Sequence, residues 1–185
     1  MIQLYKRVQK VREKYMDTLA KLYDYGTAAY GKKQYTQWYD TTEGGYTFFS
    51  FKEKCDSLSK KLTQYGIGAG DKVAILSQSM PNWSVAFFSL VPFGRIAIPI
   101  LPDSSENEVT NILNHSESKV IFVSQKLASK LSQECRDKMT LVIDMDTFEV
   151  LQSDDEKFTC DGKTAVPTPD DIATIIYTSG TTGSA

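Results

Sequence analysis

Lys72-Val73-Ala74-Ile75-Leu76-Ser77 opens the part of the chain that decides the fold. The run is apolar almost without interruption. Two more like it follow, Ile96-Ala97-Ile98-Pro99-Ile100 and Lys119-Val120-Ile121-Phe122-Val123-Ser124. Runs this short and this continuous suit strands covered on both faces rather than strands with one face in water. Their starts, at 72, 96 and 119, lie 24 and 23 residues apart, room for one crossover helix each. The gaps read as helices over Pro81–Val91, Ser105–His115 and Gln125–Cys135, the second opened by a capping box in Ser105-Glu106-Asn107-Glu108. Thr140–Met145 reads as a fourth strand, 146–170 as a polar stretch, and Ile172–Tyr177 as a final strand. Pro99 cannot donate to a ladder, which puts its strand near an edge. The pattern is α/β: a doubly wound, mainly parallel sheet with helices on both faces. Sheets of this kind bind ligands at the carboxyl ends of their strands.

Upstream, Leu4, Val8, Val11, Tyr15, Leu19 and Leu22 recur at steps of three and four, which predicts an amphipathic helix over residues 2–23. Its other faces carry Lys6, Arg7, Lys10, Arg12, Lys14 and Lys21. A basic face of this kind is solvated while the helix packs on its own domain, laid on an anionic membrane, or bound to a partner. Gln34–Tyr39 and Tyr46–Phe49, around a Thr42-Glu43-Gly44-Gly45 turn, read as a hairpin. Ser50-Phe51-Lys52-Glu53 reads as the capping box of the next helix, with Phe51, Cys55, Leu58 and Leu62 on its apolar face; Gly66 and Gly68-Ala69-Gly70 end it. The chain is divided accordingly into an N-terminal helix, 1–25, and an α/β domain, 26–185.

Composition limits the function. The 185 residues are 41% hydrophobic and 24% charged with a net charge of −2, enough for one packed domain and short of the basic surface that nucleic acid requires. Cys55, Cys135 and Cys160 form no CxxC and cannot all pair with one another, which disfavours a disulfide framework or zinc site and fits a reducing, cytoplasmic setting. The longest apolar stretch, 85–102, contains Arg95, Gly94 and three prolines and does not suit a membrane span.

The chemistry concentrates where the last predicted strand runs into Tyr177-Thr178-Ser179-Gly180-Thr181-Thr182-Gly183-Ser184-Ala185. Glycines let the backbone approach a ligand closely, and successive amides in a turn form an anion-binding concavity to which the hydroxyls of Thr178, Ser179, Thr181 and Thr182 add donors. The run is neither a Walker A loop nor a GxGxxG dinucleotide loop. The alternative is a plain Ser/Thr/Gly tail. His115, the single histidine, reads as structural, at a helix C-terminus where a cation is favoured. Asp144-Met145-Asp146 and Asp154-Asp155-Glu156 read as solvated acidic residues, and Trp38 and Trp83 as packing aromatics.

Residues 177–183 resemble the phosphate-loop signature YTSGTTGxPKG of the adenylate-forming (AMP-binding) superfamily. Gly68-Ala69-Gly70-Asp71-Lys72-Val73-Ala74-Ile75, Pro81-Asn82-Trp83, Phe93–Pro99 and Ile112–Val123 are similar to segments that precede that loop in the family. The likeness spans roughly residues 34–183, and its middle part is most similar to long-chain fatty-acid–CoA ligases. The resemblance implies an enzyme that joins a carboxylic acid to the α-phosphorus of Mg-ATP, releases pyrophosphate, and passes the acyl group to coenzyme A. It implies that Thr178, Ser179, Gly180, Thr181, Thr182 and Gly183 hold the β- and γ-phosphates. Ala185 stands where the family has proline, and the family's loop lysine would follow it. The resemblance therefore implies an N-terminal fragment: no catalytic residue and no metal ligand are expected within it, activity is not expected of it alone, and the seam left by missing elements would favour self-association. Alternatives are another adenylate-former (of amino, aryl or short-chain acids) and a non-catalytic α/β binding module.

Overall fold

The computed structural model describes residues 17–39, 44–154 and 162–178. Helix α1 spans Leu19–Tyr30, followed by strands β1 (Gln34–Thr36) and β2 (Tyr46–Thr47), helix α2 (Phe48–Gln64), strand β3 (Lys72–Leu76), helix α3 (Pro81–Leu90) and strand β4 (Ile96–Ile100). Helix α4 (Glu106–Ser116), strand β5 (Val120–Val123), a 3-10 helix (Gln125–Lys130), helix α5 (Gln133–Lys138) and strands β6 (Leu141–Asp144) and β7 (Val150–Ser153) complete it.

The apolar runs form one five-stranded sheet in the order β4-β3-β5-β6-β7. The first four are parallel, in the registers Val73↔Ala97, Val73↔Val120 and Val120↔Leu141; β7 returns antiparallel to β6. Successive side chains point to opposite faces. Val73, Ile75, Ala97, Val120, Phe122, Leu141 and Ile143 therefore pack with α1, α2 and α3. Ala74, Leu76, Ile98, Ile121, Val123 and Val142 pack with α4 and α5. The continuous hydrophobicity of the strands follows from this double cover.

Two capping boxes start the helices. Ser105 and Glu108 form the expected one on α4, Glu108 N donating to Ser105 Oγ (3.3 Å) and Ser105 N to Glu108 Oε2 (2.7 Å). On α2 the box is not Ser50 with Glu53. The helix starts at Phe48, and Thr47 and Ser50 cap one another (3.1 and 3.0 Å), because β2 delivers Thr47 in extended conformation and so makes it the N-cap.

Other boundaries also differ from the sequence reading. Residues 2–16 of the expected N-terminal helix lie outside the described residues. The expected run is broken at Thr18, whose extended backbone and hydroxyl cap α1, and that helix continues to Tyr30. It buries Ala20, Tyr23 and Thr27 rather than Leu22. The expected helix 125–135 is split where Leu131 turns extended to reach the core and Ser132 caps α5. Strand β7 lies within the stretch read as polar; the chain returns through Phe148, whose positive φ of 62° lets its ring pack edge-to-face on Phe122. The expected strand 172–177 is reduced to a single bridge, Ala97↔Thr174.

Arg95 is fully buried where α2, α3 and β4 meet. Its guanidinium donates to Ser59 Oγ (2.7 Å), Thr63 Oγ1 (2.8 Å) and the carbonyl of Ile67 (2.7 and 3.0 Å), with longer bonds to the carbonyls of Ser59 and Ser89. Burial pulls its pKa down to about 10, against the opposing charge of Asp71. Among the described residues, no helix is long and apolar enough to cross a membrane.

Candidate functional site

The strand order creates the place where a ligand can enter. From β3 the chain moves outward to β4 through α3 on one face; from β4 it returns past β3 to β5 through α4 on the other. The carboxyl ends of β3 and β5 thus flank a topological switch point, where connections leave in opposite directions and the crevice stays open. A cleft of about 1200 Å³ lies beside it, at the carboxyl ends of β3 and β4, lined among others by Trp38, Ser77, Gln78, Trp83, Pro99 and Lys126.

Polar residues directly after each apolar run organise the rim. Ser124 Oγ donates to Gln78 Oε1 (2.8 Å), joining the ends of β5 and β3. Gln125 Nε2 donates to Asp144 Oδ2 (2.8 Å) and its amide to Asp146 Oδ2 (2.9 Å). Asn82 Nδ2 donates to the carbonyls of Met145 and Asp146 (2.9 Å each), and its Oδ1 accepts from the Tyr46 hydroxyl (2.6 Å), which ties the hairpin to the sheet. Asp144 is therefore buried and bonded, not solvated as the sequence suggested: the end of β6 turns its carboxylate inward to receive Gln125 and the amide of Asp146. Of Asp154-Asp155-Glu156, Asp154 alone lies among the described residues. Gln78, Ser124 and Gln125 were not singled out in the sequence; their signal is position, at the strand ends where ligands bind in such sheets.

Segment 172–178 runs beside β4. Ala97 N donates to the carbonyl of Ala173 and Ile175 N to that of Ala97 (3.0 Å each), while Thr174 Oγ1 donates to the same Ala97 carbonyl (2.9 Å). This direction, parallel to β4, brings Thr178 to the carboxyl end of the sheet. Before it, Asp171 accepts from the amide and hydroxyl of Thr168 (2.7 and 2.9 Å), bonds that hold its carboxyl below the usual range. Of the loop residues expected to bind phosphate, Thr178 is described; Ser179, Gly180, Thr181, Thr182 and Gly183 lie outside the described residues.

The remaining candidates have packing environments. Cys55 is fully buried, its thiol pushed up by desolvation. Trp83 stacks on Phe87 (5.3 Å, 11°), while Trp38 is 40% exposed at the cleft. His115 is on the surface, its Nδ1 2.8 Å from the Tyr177 hydroxyl. Among the described residues, no group of three or more His, Cys, Asp or Glu could hold a metal ion.

The profile of the family described as AMP-binding enzyme matches residues 27–185. The chain belongs to this AMP-binding family, the adenylate-forming ligases. Fatty acyl-CoA synthetase A of Dictyostelium discoideum is 25% identical to it over 165 residues, covering 78% of this chain and 25% of that protein. Tyrocidine synthase 2 of Brevibacillus parabrevis is 28% identical over 137 residues, 74% of this chain and 4% of that protein. The structure of a Mycobacterium tuberculosis fatty acyl CoA synthetase superposes with a TM-score of 0.71 at 22% identity, over 90% of this chain and 34% of that one. The AMP-binding chain thus shares their fold and spans about a quarter or less of the length of these two curated relatives.

Proposed function

We propose that the chain is the N-terminal part of an ATP-dependent acid–CoA ligase that forms an acyl-adenylate and then an acyl-CoA, with a long-chain fatty acid as substrate. Family membership supports adenylate chemistry, and the fatty acyl-CoA synthetase among its relatives supports the acid. The single observation that carries the reading is the parallel run of residues 172–178 along β4, which ends at the cleft side of the sheet just where the Thr-Ser-Gly-Thr-Thr-Gly sequence begins. In this reading the amides and hydroxyls of Thr178, Ser179, Gly180, Thr181, Thr182 and Gly183 face the β- and γ-phosphates, where preorganised donors stabilise charge that develops on the leaving pyrophosphate. Mg2+ and coenzyme A belong to the reaction, the ion neutralising the polyphosphate and the thiol accepting the acyl group. Among the described residues, no group of three or more His, Cys, Asp or Glu is placed to hold the ion.

A second reading, amino-acid adenylation, is favoured by the 28% identity to tyrocidine synthase 2. Acid-dependent exchange of labelled pyrophosphate into ATP, run on the whole gene product with fatty, aryl and amino acids, separates the two. Exchange with palmitate supports the first, exchange with amino acids alone supports the second, and exchange with no acid overturns both. The 185-residue chain alone is expected to release no pyrophosphate and to bind ATP more weakly than micromolar. The reading carries a cytoplasmic location, with the basic helix of residues 2–23 as a peripheral membrane contact. Co-sedimentation with anionic liposomes that persists after that segment is deleted would remove it.

A further inference from the structure

Among the described residues, the main-chain ties of segment 172–178 to β4 centre on Ala97. Ala97 makes both of its ladder bonds to it, and the next donor in that ladder would be residue 99, which is Pro99 and has no N–H to give. Beyond Ile175, the side chain of Tyr177 supplies a further tie. The ring of Tyr177 packs against the core under α4 together with Ile175. Its hydroxyl lies 2.8 Å from Nδ1 of His115, and the two rings meet edge-to-face at 85° with centroids 5.6 Å apart. His115 occupies the last turn of α4, a helix whose other end is fixed by its capping box and whose inner face is buried through Val109, Ile112 and Leu113. It is a post of rigid structure beside the residue that leads into the loop.

We infer that His115 is a positioning residue for the phosphate loop: by holding the Tyr177 hydroxyl it sets the direction in which the chain leaves the sheet at Thr178. The inference rests on the reading of 178–183 given under Proposed function. His115 touches no substrate in this account; it acts through Tyr177. A hydrogen bond here compensates for the ladder bond that Pro99 cannot make, and it lies one residue from the first proposed phosphate ligand.

His115 is the only histidine, so its imidazole gives one unambiguous set of nuclear magnetic resonance signals. The test uses the 185-residue chain, the variants His115→Ala, His115→Asn and Tyr177→Phe, and magnesium tripolyphosphate as the probe. Without the probe, His115→Ala and Tyr177→Phe are expected to speed exchange of the Ile175 amide about 3- to 10-fold, the scale of one lost hydrogen bond. Exchange within β3 should not change. Asn carries a polar atom near the position of Nδ1, so His115→Asn should restore most of the protection. Unchanged exchange at Ile175 in both variants, or no rescue by His115→Asn, overturns the inference, whatever the loop binds. With the probe, the imidazole signals of the wild-type chain should move, and those of Tyr177→Phe should move much less. A clear shift of equal size in the two also overturns it. If tripolyphosphate shifts neither the imidazole nor the amides of 178–183 while the exchange effects and their rescue hold, then the reading of the loop fails and the anchoring role of His115 is retained.

Discussion

Arg95 is a full charge with no water around it and, among the described residues, no carboxylate at ion-pair distance. What holds it is a cage of neutral acceptors from α2, the turn that follows it and the end of α3. A planar guanidinium with five donors fits that cage; a lysine ammonium, with three donors on a single point, cannot span it. Arg95→Leu would leave the Ser59 and Thr63 hydroxyls and the Ile67 carbonyl buried without their partner. The expected loss is about 3 kcal/mol, the scale of one or two stranded buried polar groups, read as a lowered urea midpoint with an unchanged slope. Arg95→Lys should recover only part of it. The charge at Arg95 argued in the sequence against a membrane span. Its burial was not legible there, because the acceptors come from residues 59, 63 and 67, which only the fold brings together.

The elements show what periodicity can and cannot reveal. Strands β3, β4 and β5 and helix α4 were legible because hydrophobic cover on both faces and a capping box are local signals. The 172–177 run has the same apolar appearance, yet it is only a bridge, and the reason lies on another strand, at Pro99. Pro99→Val would supply the missing N–H on the edge that faces residue 175, and it should lengthen the pairing. Exchange of the Ile175 amide is expected to slow several-fold; an unchanged rate would mean that something other than the missing donor stops the ladder. Strand β7 was hidden for a different reason: its residues alternate between half-buried and exposed, and it pairs at an edge beyond a polar turn. Of the loop that carries the proposed chemistry, the residue types and their order were legible, and the structure adds the direction of approach. On α4, the capping hydrogen bonds from Ser105 hold the Glu108 carboxyl below its ordinary value of 4.5. A carboxylate favoured in the folded state contributes stability above pH 4.5, and the contribution is lost as pH falls through the lower folded value. Glu108→Gln keeps the box but not the charge. The variant should be slightly less stable than the wild type at pH 7, and the difference should vanish at acid pH; a difference constant with pH would rule out the charge as its source.

At the scale of the whole molecule, the sheet ends differently on its two sides. On one side β7 closes it with a short strand and a turn back to the core. On the other, segment 162–178 crosses from the end of α2 to the outside of β4. Its first part is clasped closely: Ala69 N donates to the carbonyl of Lys163 (2.8 Å), and a Cβ added at Gly68 would lie 2.8 Å from that same oxygen. Its later part presents Val166, Ile172 and Ile176 to solvent, at 85, 59 and 67% exposure. Apolar side chains beside a sheet edge form a template for a further strand. The relatives are several times longer than this chain, which supports the proposal that more of the same polypeptide covers this edge in the complete ligase. In the 185-residue chain the edge is expected to find a second copy instead. Sedimentation velocity over a hundredfold range of concentration should show a rising weight-average mass, and Ile172→Lys with Ile176→Lys should suppress the rise without lowering the urea midpoint, since both side chains are already in water. A single monomeric species at every concentration would show that this edge is protected by its own twist and short pairing, and that self-association plays no part in the chain's behaviour.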